Sequence, residues 1–299
     1  MSNAIETSGL GKSFGNNAAV KGLNLAVPEG TVFAFLGPNG AGKTTTIKML
    51  MNIMRPTQGE ASILGIKSTQ LGAQHFTQIG YVSENQEIPE WMTVGRLINY
   101  CKAFYPTWDD AFCDRLLKQY QLPLDRALKS LSRGMKMKAT LVSSLVYRPR
   151  LLVLDEPFSG LDVLVRDEFV RGVLELSEQE KWTVFVSSHD IDEVERLADW
   201  VGIMKEGELQ LCEPVSSLQA RFRKIDAVLS TDSDGVGQIP ESWLLMERAA
   251  HRLSFIESQY LEGNTERELQ RRVPGCEPTD ATPLSLRDIF LTLARTYRL

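Results

Sequence analysis

The stretch VFAFLGPNGAGKT, residues 32–44, constrains the fold more than any other part of the chain. An apolar run of strand character leads into GPNGAGKT, which fits the pattern G-x-x-x-x-G-K-[ST], and a helical pattern begins where the motif ends. Gly37, Gly40 and Gly42 let the backbone turn tightly and approach a ligand without Cβ clashes. The N–H groups of such a loop point inward as an anion nest. The helix N-terminus behind it adds about half a positive charge. Lys43 is then placed between the β- and γ-phosphates of a nucleotide, and the Thr44 hydroxyl is placed to bind Mg²⁺. Pro38, Asn39, Ala41 and Thr45 complete the expected phosphate-contacting set. The bland alternative is a glycine turn before a helix, and the complete motif in this setting argues against it.

Organisation along the chain supports an α/β fold. Strand character is expected at Val20 to Val27, Thr31 to Leu36, Ile79 to Val82, Leu151 to Leu154 and Thr183 to Val186. Helical character is expected at Lys43 to Met54, Val94 to Phe104, Asp109 to Tyr120 and Met135 to Tyr147. Continuous apolar strands that alternate with helices imply a buried, mainly parallel sheet. The insertion from about 87 to 148 has almost no strand signal and is expected to be a helical subdomain. Composition changes after Glu213, where lysine nearly vanishes and Gly, Asp, Ser and Pro cluster at Ser230 to Pro240. WLLMER, RLSFIES and the helical patterns after them suggest a small α+β appendage over 214–299.

Bulk properties exclude some classes. Of 299 residues, 43% are hydrophobic and 24% are charged, enough for a sizeable core. A net charge of -5 without a basic block gives no reason to expect a nucleic-acid partner. Cys101, Cys113, Cys212 and Cys276 are far apart and form no CxxC pair, which suits reduced thiols. The N-terminal residues lack the features of a signal peptide. No apolar run approaches the roughly 20 residues of a membrane-spanning helix. The expected location is the cytoplasm.

A second motif, LLVLDEP, puts two carboxylates at the carboxyl end of an apolar strand, the side on which open α/β sheets bind ligands. Asp155 suits a hard divalent ion. Glu156 suits the orientation and deprotonation of an attacking water. Alone, the motif could be a polar strand end; its pairing with the phosphate loop argues otherwise.

The order of motifs resembles the nucleotide-binding subunit of an ATP-binding cassette (ABC) transporter. LSRGMKMK, at 131–138, is similar to the family's signature segment. LLVLDEP follows it, then SGLD ending at Asp162, then SSHD with His189. The match covers about Ile5 to Glu213. The resemblance implies a P-loop NTPase core with a mainly parallel sheet, an N-terminal antiparallel β-subdomain and a helical signature subdomain. It implies ATP and Mg²⁺ as ligands and two subunits packed head to tail. Ser132 and Gly134 of one subunit would contact the γ-phosphate held by Lys43 of the other. From the residues alone, Ser132 is a good N-cap for a helix with free N–H groups. By resemblance, His189 contacts the γ-phosphate and Asp162 links the two sites. Phe14 stands where the family has an aromatic ring that stacks on adenine; a core role competes with this.

Two departures concern detail. Arg133 and Met135 replace a Gly and the Gln of the usual LSGGQ, and Arg133 needs a backbone conformation open to non-glycine residues. Lys136 and Lys138 suit a solvated helix face. In YVSENQE, 81–87, the family pattern I-G-Y-x-P-Q places Glu84 where a metal-contacting Gln is usual. A two-residue bulge would bring in Gln86 instead, and Glu87 is expected at the surface. The expected function is an ATPase subunit that drives an integral membrane permease, by analogy in the export direction, from the inner face of the membrane. Trp91, Met92 and Val94 are candidate contacts for that partner, with core packing as the competing role. The alternatives are a soluble ABC ATPase outside transport and a P-loop kinase of a small molecule.

Overall fold

Apolar runs such as VFAFL and LLVLD have no polar face, so they are stable only as strands covered on both sides. The computed structural model describes residues 2–84, 86–229, 239–249 and 251–297, except for the side chains of 176–180 and 297. In chain order come β1 (Asn3–Phe14), β2 (Asn17–Pro28), β3 (Val32–Leu36), α1 (Lys43–Leu50), β4 (Gln58–Ile63) and β5 (Ile66–Lys67). Next are α2 (Ala73–Phe76), β6 (Ile79–Ser83), α3 (Val94–Lys102), α4 (Asp110–Gln119), α5 (Arg133–Leu145) and β7 (Leu151–Asp155). Then follow α6 (Val163–Glu180), β8 (Thr183–Ser188), β9 (Trp200–Lys205), β10 (Glu208–Pro214) and α7 (Val215–Arg221). The chain ends with β11 (Arg223–Leu229), β12 (Trp243–Ala249), β13 (Arg252–Glu257), α8 (Asn264–Arg272), β14 (Cys276–Pro283) and α9 (Leu286–Tyr297). It divides into two compact units, Met1–Cys212 and Glu213–Leu299.

In the first unit a six-stranded sheet has the order β10-β9-β3-β8-β7-β6. The strands β9, β3, β8, β7 and β6 run parallel, with Leu36 opposite Ser188, Asp155 opposite Ser187 and Ser83 opposite Asp155. This register brings the carboxyl ends of β3, β6, β7 and β8 to one sheet edge. Phe33 and Phe35 pack on Phe185 with ring centroids 5.6 and 5.2 Å apart. A second sheet, β2-β1-β4-β5, is antiparallel. Both sheets share one apolar core that includes Ile5, Leu23, Phe33, Ile47 and Leu151.

The 87–148 segment is helical, and its one described β-bridge joins Thr93 and Ala127. Thr93 and Asp109 cap α3 and α4 through the N–H groups of Arg96 and Phe112. The Tyr147 hydroxyl donates to Ile79 O at 2.9 Å and so ties the residues after α5 to β6. Met92 and Val94 are buried, which selects core packing over partner contact for these two; Trp91 is exposed. The expected helix from Lys43 to Met54 stops at Leu50. Asn52 turns to φ +55 there, and the N–H groups of Ile53 and Met54 both return to Lys48 O.

The second unit holds an antiparallel sheet of order β12-β13-β11-β14. Its core gathers Ile225, Leu253, Phe255, Leu269 and Trp243, with Trp243 stacked on Phe255. WLLMER and RLSFIES form β12 and β13. Residues 230–238 of the Gly, Asp and Ser cluster lie outside the described residues. All four cysteines are free thiols.

Candidate nucleotide site

The phosphate loop leaves β3 at Leu36, and Gly37 N–H donates to Ser188 O at the end of β8. Gly42 has φ +102, and a Cβ there would come within 2.5 Å of Ala19 O. Only glycine meets both demands. Lys43 opens α1 and is buried; its Nζ donates to Gly37 O at 2.6 Å and Pro38 O at 3.2 Å. The same ammonium lies 3.0 Å from Glu156 Oε1. Around it is a pocket of about 260 Å³ lined by Ala19, residues 39–45, Glu84, Asp155 and Glu156.

The two carboxylates after β7 differ in environment. Asp155 is buried, and its Oδ1 accepts from Thr44 Oγ1 at 3.0 Å and Ser187 Oγ at 2.8 Å. Burial pushes its carboxyl up from the ordinary range, while the two hydroxyls pull it back. Glu156 holds a left-handed conformation, φ +51, which is costly for a residue with a Cβ and recurs at functional sites. Its N–H donates to Ser187 Oγ at 3.0 Å, so one serine fixes both acidic residues. Glu156 Oε2 lies 2.7 Å from His189 Nδ1. Its carboxylate is thus shared by Lys43 and His189.

Among the oxygen groups that line the pocket, the Thr44 hydroxyl and the carboxylates of Asp155 and Glu84 are hard donors of the kind that would fit a magnesium-type ion. No group of three or more His, Cys, Asp or Glu residues among the described residues is built to hold a metal alone.

The other expected residues are placed as follows. Glu84 belongs to the pocket wall and accepts from Arg133 and from Ser159 Oγ at 2.9 Å. Gln86 is exposed and lines an adjoining groove instead, and Glu87 is exposed with it. Phe14 is 49% exposed with Lys12 Nζ over its ring, so the core alternative does not hold. Ser132 caps α5 by accepting from Met135 N–H. Arg133 is the first residue of α5, so no left-handed conformation is demanded of it. Asp162 caps α6 by accepting from Val165 N–H at 3.0 Å. Gly134 is buried in α5. Phe14, Ser132, Gly134 and Asp162 do not line the pocket around Lys43. Lys138 corrects the solvated-face expectation: it is buried, pairs with Glu168 and lies over the Tyr120 ring. Lys136 pairs with Glu90.

A family model described as ABC transporter matches residues 20–159. The bacitracin transport ATP-binding protein BcrA of Bacillus licheniformis is 34% identical over 86% of this chain and 85% of its own length. The chain belongs to the ABC transporter family. The BcrA protein of Enterococcus faecalis is 30% identical over 81% of this chain and 79% of that protein. A solved ATP-binding subunit of an ABC transporter superposes with a TM-score of 0.65 at 26% identity, covering 73% of this chain and 92% of that one. As an ABC ATP-binding subunit, the chain binds and hydrolyses ATP.

This ABC ATPase also contains a network that the motifs did not announce. The Ser188 hydroxyl donates to the buried Glu193 carboxylate, and Arg166 of α6 approaches Glu193 Oε1 at 3.4 Å. Burial pushes the Glu193 carboxyl up, against the pull of Ser188 and Arg166. The residue before His189 is thereby tied to the helix that begins after Asp162. Ser187, Ser188 and Glu193 are ordinary polar residues in sequence, and their importance comes from burial. The one available signal was SSHD itself, with two hydroxyls at the end of an apolar strand.

Proposed function

We propose that the chain is one of a pair of ATP-hydrolysing subunits that closes around two ATP–Mg²⁺ and drives an integral membrane permease, in the export direction. The observation that carries the paired reading is that Ser132 and Gly134 do not line the pocket around their own Lys43. With one copy of each motif per chain, a complete site then needs the signature of a second chain. In this reading Lys43, with the loop from Gly37 to Thr45, holds the phosphates. Glu156 orients and deprotonates the attacking water, while His189, whose Nδ1 lies against the Glu156 carboxylate, would contact the γ-phosphate. Thr44, Asp155 and Glu84 hold Mg²⁺, which would neutralise charge on the phosphate oxygens. Phe14 offers its exposed face to adenine, and Asp162 links the paired sites.

Residues 1–213 act as the ATPase domain and 214–299 as an accessory domain. The exposed Trp91 and the exposed edge-on pair Tyr100–Phe104, with centroids 5.1 Å apart, suit an apolar partner at the helical subdomain. No helix among the described residues is long and apolar enough to cross a membrane, so association would come through the permease from the cytoplasmic side. The bacitracin transport names of the relatives support a transport role, and the export direction rests on analogy.

One preparation tests both parts. The chain is expected to co-purify with a membrane subunit from detergent extracts. Lys43→Ala and Ser132→Ala chains, each inactive alone, should recover ATPase activity when mixed, because a mixed pair has one intact composite site. Absence of recovery at every ratio removes the paired site, and failure to retain any membrane subunit removes the permease.

A further inference from the structure

One guanidinium connects three parts of the site's edge. Arg133, in the first turn of α5, donates to Glu84 Oε1, and the same oxygen accepts from Ser159 Oγ at 2.9 Å. A Cβ on Gly160 would overlap the Arg133 guanidinium, so the glycine leaves the room that Arg133 uses. Glu84 belongs to the pocket around Lys43, Thr44 and Asp155, whereas Arg133 lines only the groove beside it. The Glu84 side chain is 24% exposed and that of Arg133 is 49% exposed. The Glu84 carboxylate therefore lies between an oxygen-lined metal position and a half-exposed cation.

Both neighbours call on the same negative charge. A carboxylate oxygen already taken by a guanidinium and a hydroxyl is a weaker ligand, since charge-assisted hydrogen bonds to it must loosen before a divalent ion can bind. A neutral amide at position 84 could accept a hydrogen bond but would lack the charge that strengthens it, so the Arg and the Glu make sense as a pair. We propose that Arg133 is a positioning residue that competes with Mg²⁺ for Glu84 and thereby sets the metal concentration at which nucleotide binds. The proposal rests on the reading of Glu84 as a metal-position residue. The pair is partly exposed, so the competition is worth only a few-fold.

The test is equilibrium binding of a fluorescent ATP analogue to the full chain while MgCl₂ is titrated. Arg133→Gln is expected to lower the half-saturating Mg²⁺ concentration roughly two- to fivefold. Arg133→Lys, which keeps the charge but loses the planar guanidinium, should fall between that variant and the native chain. Glu84→Gln should raise the midpoint, and adding Arg133→Gln to it should change nothing further. The proposal is overturned if Arg133→Gln leaves the midpoint where it was. It is equally overturned if the shift is the same with and without Glu84, because that result reports only general charge. If Glu84→Gln leaves the midpoint unmoved, the metal reading of Glu84 fails and the competition fails with it. That pattern is distinct from the one in which Arg133 alone is silent.

Discussion

Glu156 concentrates the contacts of the site in one side chain. Its backbone is held at φ +51, one carboxylate oxygen faces Lys43 at 3.0 Å, and the other faces His189 at 2.7 Å. In the proposed role of base, Glu156 would be held by a third group, the general pattern of activated nucleophile sites. Replacing Glu156 by Gln keeps the shape and removes the charge. Turnover is expected to fall about a hundredfold or more, in line with the loss of general-base catalysis. Nucleotide affinity should not weaken, because Lys43 loses a competing ion pair. Phosphate release and equilibrium binding, measured side by side, check both expectations; unaltered turnover removes Glu156 as the base. At this scale the sequence was legible where a motif fixes backbone and side chain together. Lys43, Thr44, Asp155 and Glu156 are all brought to one pocket. Ser187 was not legible, since its two hydrogen bonds to Asp155 and Glu156 depend on the register between β7 and β8.

Among the elements, α5 and α6 both start near the site, and each is capped by a polar side chain, Ser132 or Asp162. Their close approach depends on Gly134, where a Cβ would lie 2.7 Å from Val165 Cγ1. Gly134→Val therefore forces the helices apart. A loss of about 1–3 kcal/mol in stability is expected from such overpacking, read by urea denaturation. Val165→Ala in the same chain should restore part of it; if the double variant is no better than Gly134→Val, the helix contact is not the cause. Elements with continuous apolar runs were legible, as β3, β7 and β8 illustrate. β1 was missed because Gly9 and Gly11 and several register shifts interrupt its alternation. β14 was missed because CEPTDATP carries two prolines, which propensity alone assigns to a turn. Its place at the sheet edge tolerates them.

At the scale of the whole molecule, the two compact units have separate cores, and every residue of the nucleotide site belongs to Met1–Cys212. The second unit carries its own electrostatic cost. Glu257, opposite Trp243 and Arg223 in the sheet, is buried and accepts from Gln259 N–H at 2.8 Å. Burial, reinforced by the nearby Glu268, pushes its carboxyl above the ordinary range, although Gln259 and Ser242 pull it down. An acid with a raised folded pKa binds more protons in the folded state than in the unfolded one. Its contribution to stability is then full below the ordinary value of about 4.3 and is lost as pH rises through the folded value. Glu257→Gln keeps the acceptor oxygen and removes the charge. This variant should make β11 and β13 more stable than in the native chain at neutral pH, with the difference shrinking as the pH falls through the raised folded value and gone below about 4.3. Amide hydrogen exchange of those two strands in the full chain, expressed as protection factors, reads the difference locally. A gain that is equal at all pH values would assign it to packing, and a loss at neutral pH would mean that the ionised carboxylate is better satisfied than its burial implies.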